Sequence, residues 1–241
     1  MRTGRVDASG TNPVPHHREA ADRGPVPQGL ARSALIAALH DSYDDTLLAP
    51  AIAAPVAHPN GFVKLPLALV VEGSRRLFLH VWLAGEEDSQ AHDHRWDFSS
   101  TVLRGTVHNS LLDITEADEP LCDGDPLLGA ESSRSPGYRV VRYEPREWGY
   151  RFDASCGERV VVTEHRTATV CAGDAYGMSA FTFHRARALP GTMTLVARGA
   201  PLGRYARVLV RGEVSEGPRR WRHVGPSERR GYLREALDCL G

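Results

Sequence analysis

The residues in this chain best suited to chemistry are histidines at a particular spacing. His92 and His94 lie in Gly85–Gly105 (GEEDSQAHDHRWDFSSTVLRG), and His184 lies in GDAYGMSAFTFHRA, eleven residues after Gly173 of a Gly-Asp turn. Residues two apart on a strand point to the same face, so two imidazoles there can share one metal ion if a third ligand arrives from a later strand. His184 can supply that ligand. Three neutral imidazoles leave a divalent ion its full charge and about three open positions, an arrangement that favours an anionic donor such as a thiolate, carboxylate or enolate. Four residues after His94 stands Phe98, and its neighbour Asp97 points to the opposite face of a regular strand. A second oddity is basic composition: of 29 Lys and Arg residues, Lys64 is the only lysine. A compact ammonium there does what a planar guanidinium cannot.

With these residues in place, the sequence resembles the cupin superfamily, whose two motifs run G-x5-H-x-H-x3-4-E-x6-G and G-x5-P-x-G-x2-H-x3-N. His92, His94 and Gly105 match the first, with Gly85 one position early; Gly173 and His184 fall at the second's spacing, with Ser179, Phe181 and Ala188 in place of Pro, Gly and Asn. The resemblance spans roughly Lys64 to Arg204. Phe98 holds the place of the usual glutamate ligand, and His92-Asp93-His94 is followed by Val102-Leu103-Arg104-Gly105. That pattern is similar to the three-histidine branch containing cysteine and mercaptopropionate dioxygenases. The resemblance implies an all-β cupin double-stranded β-helix, a jelly-roll barrel, with a short N-terminal helix and a possible C-terminal one. It implies Fe(II) at His92, His94 and His184, with Zn, Ni, Mn or Cu as alternatives. The activity implied is a dioxygenase or hydroxylase taking O2 and a small amino-acid-like or thiol-bearing substrate. In the dioxygenases it resembles, a cation near Lys64 pairs with the substrate carboxylate. Two rivals stay open: a non-oxidative cupin isomerase, epimerase or lyase using a divalent metal, and a cupin binding protein without turnover.

Strand parity selects the residues that would surround the metal. Trp96, Phe98, Ser100 and Val102 share His94's parity and are expected to face the interior, the aromatics as walls and Ser100 as a donor. On the preceding strand Phe78, His80 and Trp82 share one face, and Leu77, Leu79, Val81 and Leu83 the other. Such a strand is buried on both faces. His80 and Trp82 are therefore substrate-side candidates, and His165 and Tyr176 are candidates for acid–base work.

The elements that must position these groups follow from pattern and punctuation. The chain has 241 residues, 41% hydrophobic, enough to bury one core. Residues 1–28 lack large apolar side chains and read as a flexible arm, in which His16 and His17 form a solvated pair. Leu30, Ala34, Leu35, Ala38 and Leu39 predict one short amphipathic helix. Strands are expected at 62–71, 77–84, 97–103, 106–114, 138–143, 159–163, 167–171, 181–188, 193–197 and 204–210, with a loop over 119–136. One cupin domain then covers 29–215. Residues 216–241 form an extension whose helix starts at a Ser227 cap.

Global features exclude other classes. A net charge of −1 argues against a surface built for nucleic acid or anionic lipid. Arg219, Arg220, Arg222, Arg229 and Arg230 lie near Glu213, Glu216, Glu228, Glu235 and Asp238 and read as a solvated face. No apolar run is long enough to span a membrane, and the N-terminus has no secretory pattern. Four scattered cysteines without a CxxC pair point to a reducing cytoplasm. Exposed strand edges and the N-terminal arm fit a homodimer.

Overall fold

The computed structural model describes residues 32–44, 54–58, 60–71, 75–83, 90–117, 137–155, 157–214 and 217–241. The N-terminal arm, Gly85 and the 119–136 loop lie outside them. Helix α1 (Arg32–Asp44) leads into β1 (Val56–His58), β2 (Phe62–Val71), β3 (Arg75–Trp82), β4 (Phe98–Arg104) and β5 (Thr106–Glu116). Then come β6 (Tyr138–Arg146), β7 (Gly149–Asp153), β8 (Arg159–Cys171), β9 (Ala175–Met178), β10 (Phe183–Ala188), β11 (Met193–Arg198) and β12 (Ala206–Arg211). Short strands β13 (Arg219–Arg220) and β14 (Arg222–His223) precede helix α2 (Pro226–Asp238).

The strands form two antiparallel sheets. The first has the order β14-β1-β2-β3-β11-β4-β9; the second runs β10-β5-β8-β6-β7-β13, with β12 also pairing β6. The sheets face each other: Phe62, Trp82 and Val102 of the first pack with Val107, Val170, Ala186 and Ala188 of the second. The other face of the first sheet is covered by both helices. There Leu65, Leu77, Leu79, Val81 and Leu195 pack against Leu35, Leu39, Leu233 and Ala236. The expected double burial of β3 is therefore found, except that Leu83, just beyond the strand, is 42% exposed.

A short bridge closes the second sheet. His92 N–H donates to His184 O at 3.0 Å and His184 N–H to His92 O at 2.9 Å, while Leu209 N–H donates to Ala91 O and Asp93 N–H to Arg207 O. Residues 91–93 thus lie between β10 and β12. The pairing runs continuously through β10, β5, β8, β6 and β12 back to His92. Ala91, Leu112, Val140, Val160, Phe183 and Leu209 fill the space inside this ring.

Several expectations need correction. His92 and His94 sit in an irregular segment with two isolated bridges at His92, not on a strand, because the ladder of β4 begins only at Phe98. The two expected strands at 159–163 and 167–171 are one strand, β8, bulged where Leu111 and Leu112 shift register. Tyr176, just after the Gly-Asp turn at Gly173, lies on the four-residue strand β9, which is not among the expected strands. The C-terminal helix is capped at Gly225 with Pro226 in the first turn, not at Ser227. It also belongs to the core: Leu233 and Ala236 are fully buried. Arg229 is no solvated residue; it donates to Ser42 O of α1 at 2.7 Å.

Candidate metal centre

Local alternation turns the HDH segment into a site. Ala91 faces the core inside the ring, and Asp93 is fully buried on the same side of the chain. Asp93 Oδ1 accepts Arg207 N–H and its Oδ2 accepts Arg207 Nε–H, both at 2.6 Å. Burial raises the Asp93 pKa while the guanidinium beside it works the other way. Breaking such a buried pair costs about 3–5 kcal/mol, so it holds the segment firmly. His92 and His94 are left to point together at His184.

Nitrogen atoms of these three rings lie within 4.8 Å of one another, and the group could hold a metal ion. His94 Nε2 and His184 Nε2 are 3.1 Å apart. Two ligands at about 2.0–2.1 Å from one ion stand roughly 2.9–3.4 Å apart at octahedral to tetrahedral angles, so this spacing is a ligand spacing. The opposite ring nitrogens are committed. His92 Nδ1–H donates to Gln90 O at 2.8 Å, and His184 Nδ1–H donates to Asn109 Oδ1 at 2.9 Å. Each bond fixes the tautomer that leaves Nε2 with a free lone pair. Burial lowers the pKa of His92 and sets those of His94 and His184 well below the usual value, so all three are neutral at pH 7. Three neutral imidazoles with converging nitrogens, two of them with fixed tautomers, fit a divalent ion.

Asp97 is not part of the group. Its Oδ1 accepts Ala180 N–H at 2.6 Å, which turns the carboxylate away. Phe98 instead meets His94 edge-on at 5.1 Å between ring centres and lies 6.1 Å from His184. Trp96 stacks on His94 at 5.8 Å. Tyr176 pairs in register with Ser100 and meets Phe98 at 6.0 Å; burial raises its phenol pKa, and the nearby Ser100 hydroxyl pulls the other way. The structure thus brings Trp96 and Phe98 to the three histidines, with Tyr176 against Phe98 and Ser100 paired beside Tyr176. It leaves His165 outside: on the bulged β8 that side chain is 64% exposed and meets Asp113 at 3.4 Å. A role for His165 in acid–base chemistry at this site is therefore set aside.

Deeper between the sheets lies a second group of the expected residues. Lys64 stands opposite His80 in the β2–β3 register, and Phe62 opposite Trp82. Phe62 stacks on His58 at 4.7 Å and on His80 at 4.4 Å. His80 Nε2 and Trp82 Nε1 are buried with no hydrogen-bond partner among the described residues. The Lys64 Nζ lies 4.6 Å from the centre of the Phe78 ring, and the Arg198 guanidinium lies 4.9 Å from the same ring and 4.1 Å from Trp96. Burial, with Arg198 adding to it, brings the Lys64 pKa down to about 7; burial, Arg76 and Arg95 bring Arg198 down to about 10.

Four contributors escaped sequence reading: Arg198, Asn109, the Asp93–Arg207 pair and His58. Arg198 had a legible signal, since it ends a strand whose alternate residues Thr194 and Val196 face inward. Asn109, Arg207 and His58 had none, because each meets the site only through cross-strand pairing. No helix among the described residues is long and apolar enough to cross a membrane. Comparison with family models and with curated proteins gives no match for this chain.

Proposed function

We propose that this chain is a metal-dependent cupin oxygenase in which His92, His94 and His184 hold Fe(II) and a small anionic substrate is oxidised with O2. The observation that carries the reading is the convergence of three neutral imidazoles, two with the non-ligand nitrogen tied to Gln90 or Asn109. Bound iron would supply open coordination positions where substrate and O2 meet. The chain's own groups do the rest. Phe98 and Trp96 wall the site and keep water from its edge. Arg198 and the protonated form of Lys64, sharing the Phe78 ring, offer positive charge to a substrate carboxylate. Among the described residues no ion pair neutralises either of them. The Tyr176 phenol stays protonated across the neutral range and can donate a hydrogen bond toward the Phe98 side of the site.

The two-sheet fold, the positive φ of Gly105 and Gly173 at the turns after β4 and β8, and the fit of both glycines to the cupin spacing support this reading. At Gly105 a Cβ would collide with Thr192 Oγ1, so the position demands glycine twice over. Metal analysis together with an oxygen electrode tests the proposal. Stoichiometric iron and substrate-stimulated O2 uptake, both lost in His92→Ala plus His184→Ala, are expected. Zinc with no O2 uptake would move the assignment to a non-oxidative Lewis-acid enzyme, and full ligand binding by the double variant would end any metal reading.

A further inference from the structure

Lys64 is the only lysine in 241 residues, and it is half-buried, on the face of β2 whose neighbouring residue Phe62 packs toward the second sheet. Its β2 strand places it opposite His80, and its Nζ sits over the Phe78 ring. The charged and titratable groups that face it come from every neighbouring element: His58 on β1, His80 on β3, Arg198 on β11 and His94 of the 90–97 segment. None of these is a carboxylate. An amine becomes a nucleophile at neutral pH under two conditions, desolvation in an apolar pocket or a neighbouring cation. Lys64 meets both.

We infer that Lys64 is a reactive amine that condenses with a small carbonyl compound of the 2-oxo acid class, placing the carbonyl carbon at Nζ and the carboxylate on Arg198. The neutral amine adds to the carbonyl carbon to give a carbinolamine. Both amine hydrogens then leave with the carbonyl oxygen as water, and a C=N bond to Nζ remains. His80 stands across the strand pair with an unpartnered Nε2, suited to relay the proton that the departing oxygen needs. Arg198 plays two parts: it seats the carboxylate and its charge discourages the ammonium form. A Lys64 pKa of about 7 matches this arrangement. The inference goes beyond the metal-centred reading and does not require a metal.

Pyruvate and cyanoborohydride, with excess chelator present, test it by mass spectrometry of the intact chain. A reduced adduct adds the mass of the acid less one oxygen atom. Peptide mapping is expected to place it at Lys64, with labelling at pH 7 at least about 100-fold faster than that of a lysine in a short peptide. The neutral fraction at pH 7 exceeds that of an ordinary lysine on the order of a thousandfold. The rate should rise with pH and level off just above 7. Lys64→Arg and Lys64→Met, checked for folding by circular dichroism, should leave only slow labelling of the N-terminal amine. Labelling confined to that terminus, equal labelling of wild type and variants, or a rate still climbing toward pH 10 would overturn the inference. So would labelling that appears only when metal is restored. Iron content and O2 uptake are read separately, so either proposal can fail alone.

Discussion

The two faces of the first sheet are built from alternate residues of the same strands, yet they are opposites. On the helix side, β3 contributes Leu77, Leu79 and Val81 to an aliphatic layer with Leu35, Leu39, Leu233 and Ala236 of α1 and α2. On the inner side it contributes Phe78, His80 and Trp82, among Lys64, Arg198 and the three histidines. The helix face buries aliphatic side chains against aliphatic side chains. Among the described residues the inner face keeps buried donors without partners and cations without acids, each of which costs stability. One face carries the fold so that the other can carry chemistry.

The sharpest way to break this contrast is to damage each face in turn. Leu79→Ala on the helix face is expected to cost about 2–5 kcal/mol in denaturant unfolding, with metal stoichiometry unchanged. Equal loss of metal from this variant would mean that the faces are not separable. On the inner face Asn109→Ala should weaken metal binding about 10–100-fold, by freeing the His184 tautomer, while shifting the melting temperature little. Competition with a chelating dye measures the first and calorimetry the second.

Lys64→Met should then stabilise the protein at pH 7, by roughly 1–3 kcal/mol. The sign follows from the lowered pKa. Below about 7 both folded and unfolded chains carry the charge, and only the folded chain pays for its burial. As pH rises from about 7 to 10.5 the folded amine is neutral while the unfolded one is still charged, so wild-type stability climbs and the advantage of the variant shrinks. Urea titrations at pH 7 and pH 9.5 would show it; a destabilised variant would contradict the cost assigned to this face.

The smallest expected effect concerns acid. Burial holds His58 and His80 well below 6.5, and they stay neutral when the unfolded chain already binds protons. Stability of the metal-free protein should therefore fall as pH drops below about 6.5, through a window that the outer face does not share. A flat melting temperature between pH 7 and 5 would place these rings in water.

Much of the scaffold was legible along the chain. The hairpin of β2 and β3 and the alternation within β3 follow from period-2 patterning, and spacing singled out His92, His94 and His184 as rings that meet, although the strand expected to carry His92 and His94 begins only at Phe98. Short elements were not. β1, β7 and β9 carry too few residues to show a period, and β8 reads as two strands because a bulge interrupts its alternation. The C-terminal helix was visible, but its burial against α1 was not, since its composition is strongly polar.

By itself, then, the sequence determined an all-β chain with an aliphatic face, an aromatic and basic face, three suitably spaced histidines and one singular lysine. Only the tertiary structure decided that residues 91–93 bridge β10 and β12, which swings Asp93 onto Arg207 and turns His92 and His94 inward together. It also decided that Asp97 spends its carboxylate on Ala180 N–H and that Arg198 shares a ring with Lys64. The reason is that face and period are properties of neighbouring residues, while partnership across 83 or 114 positions is set by sheet register. A local pattern constrains register without stating it.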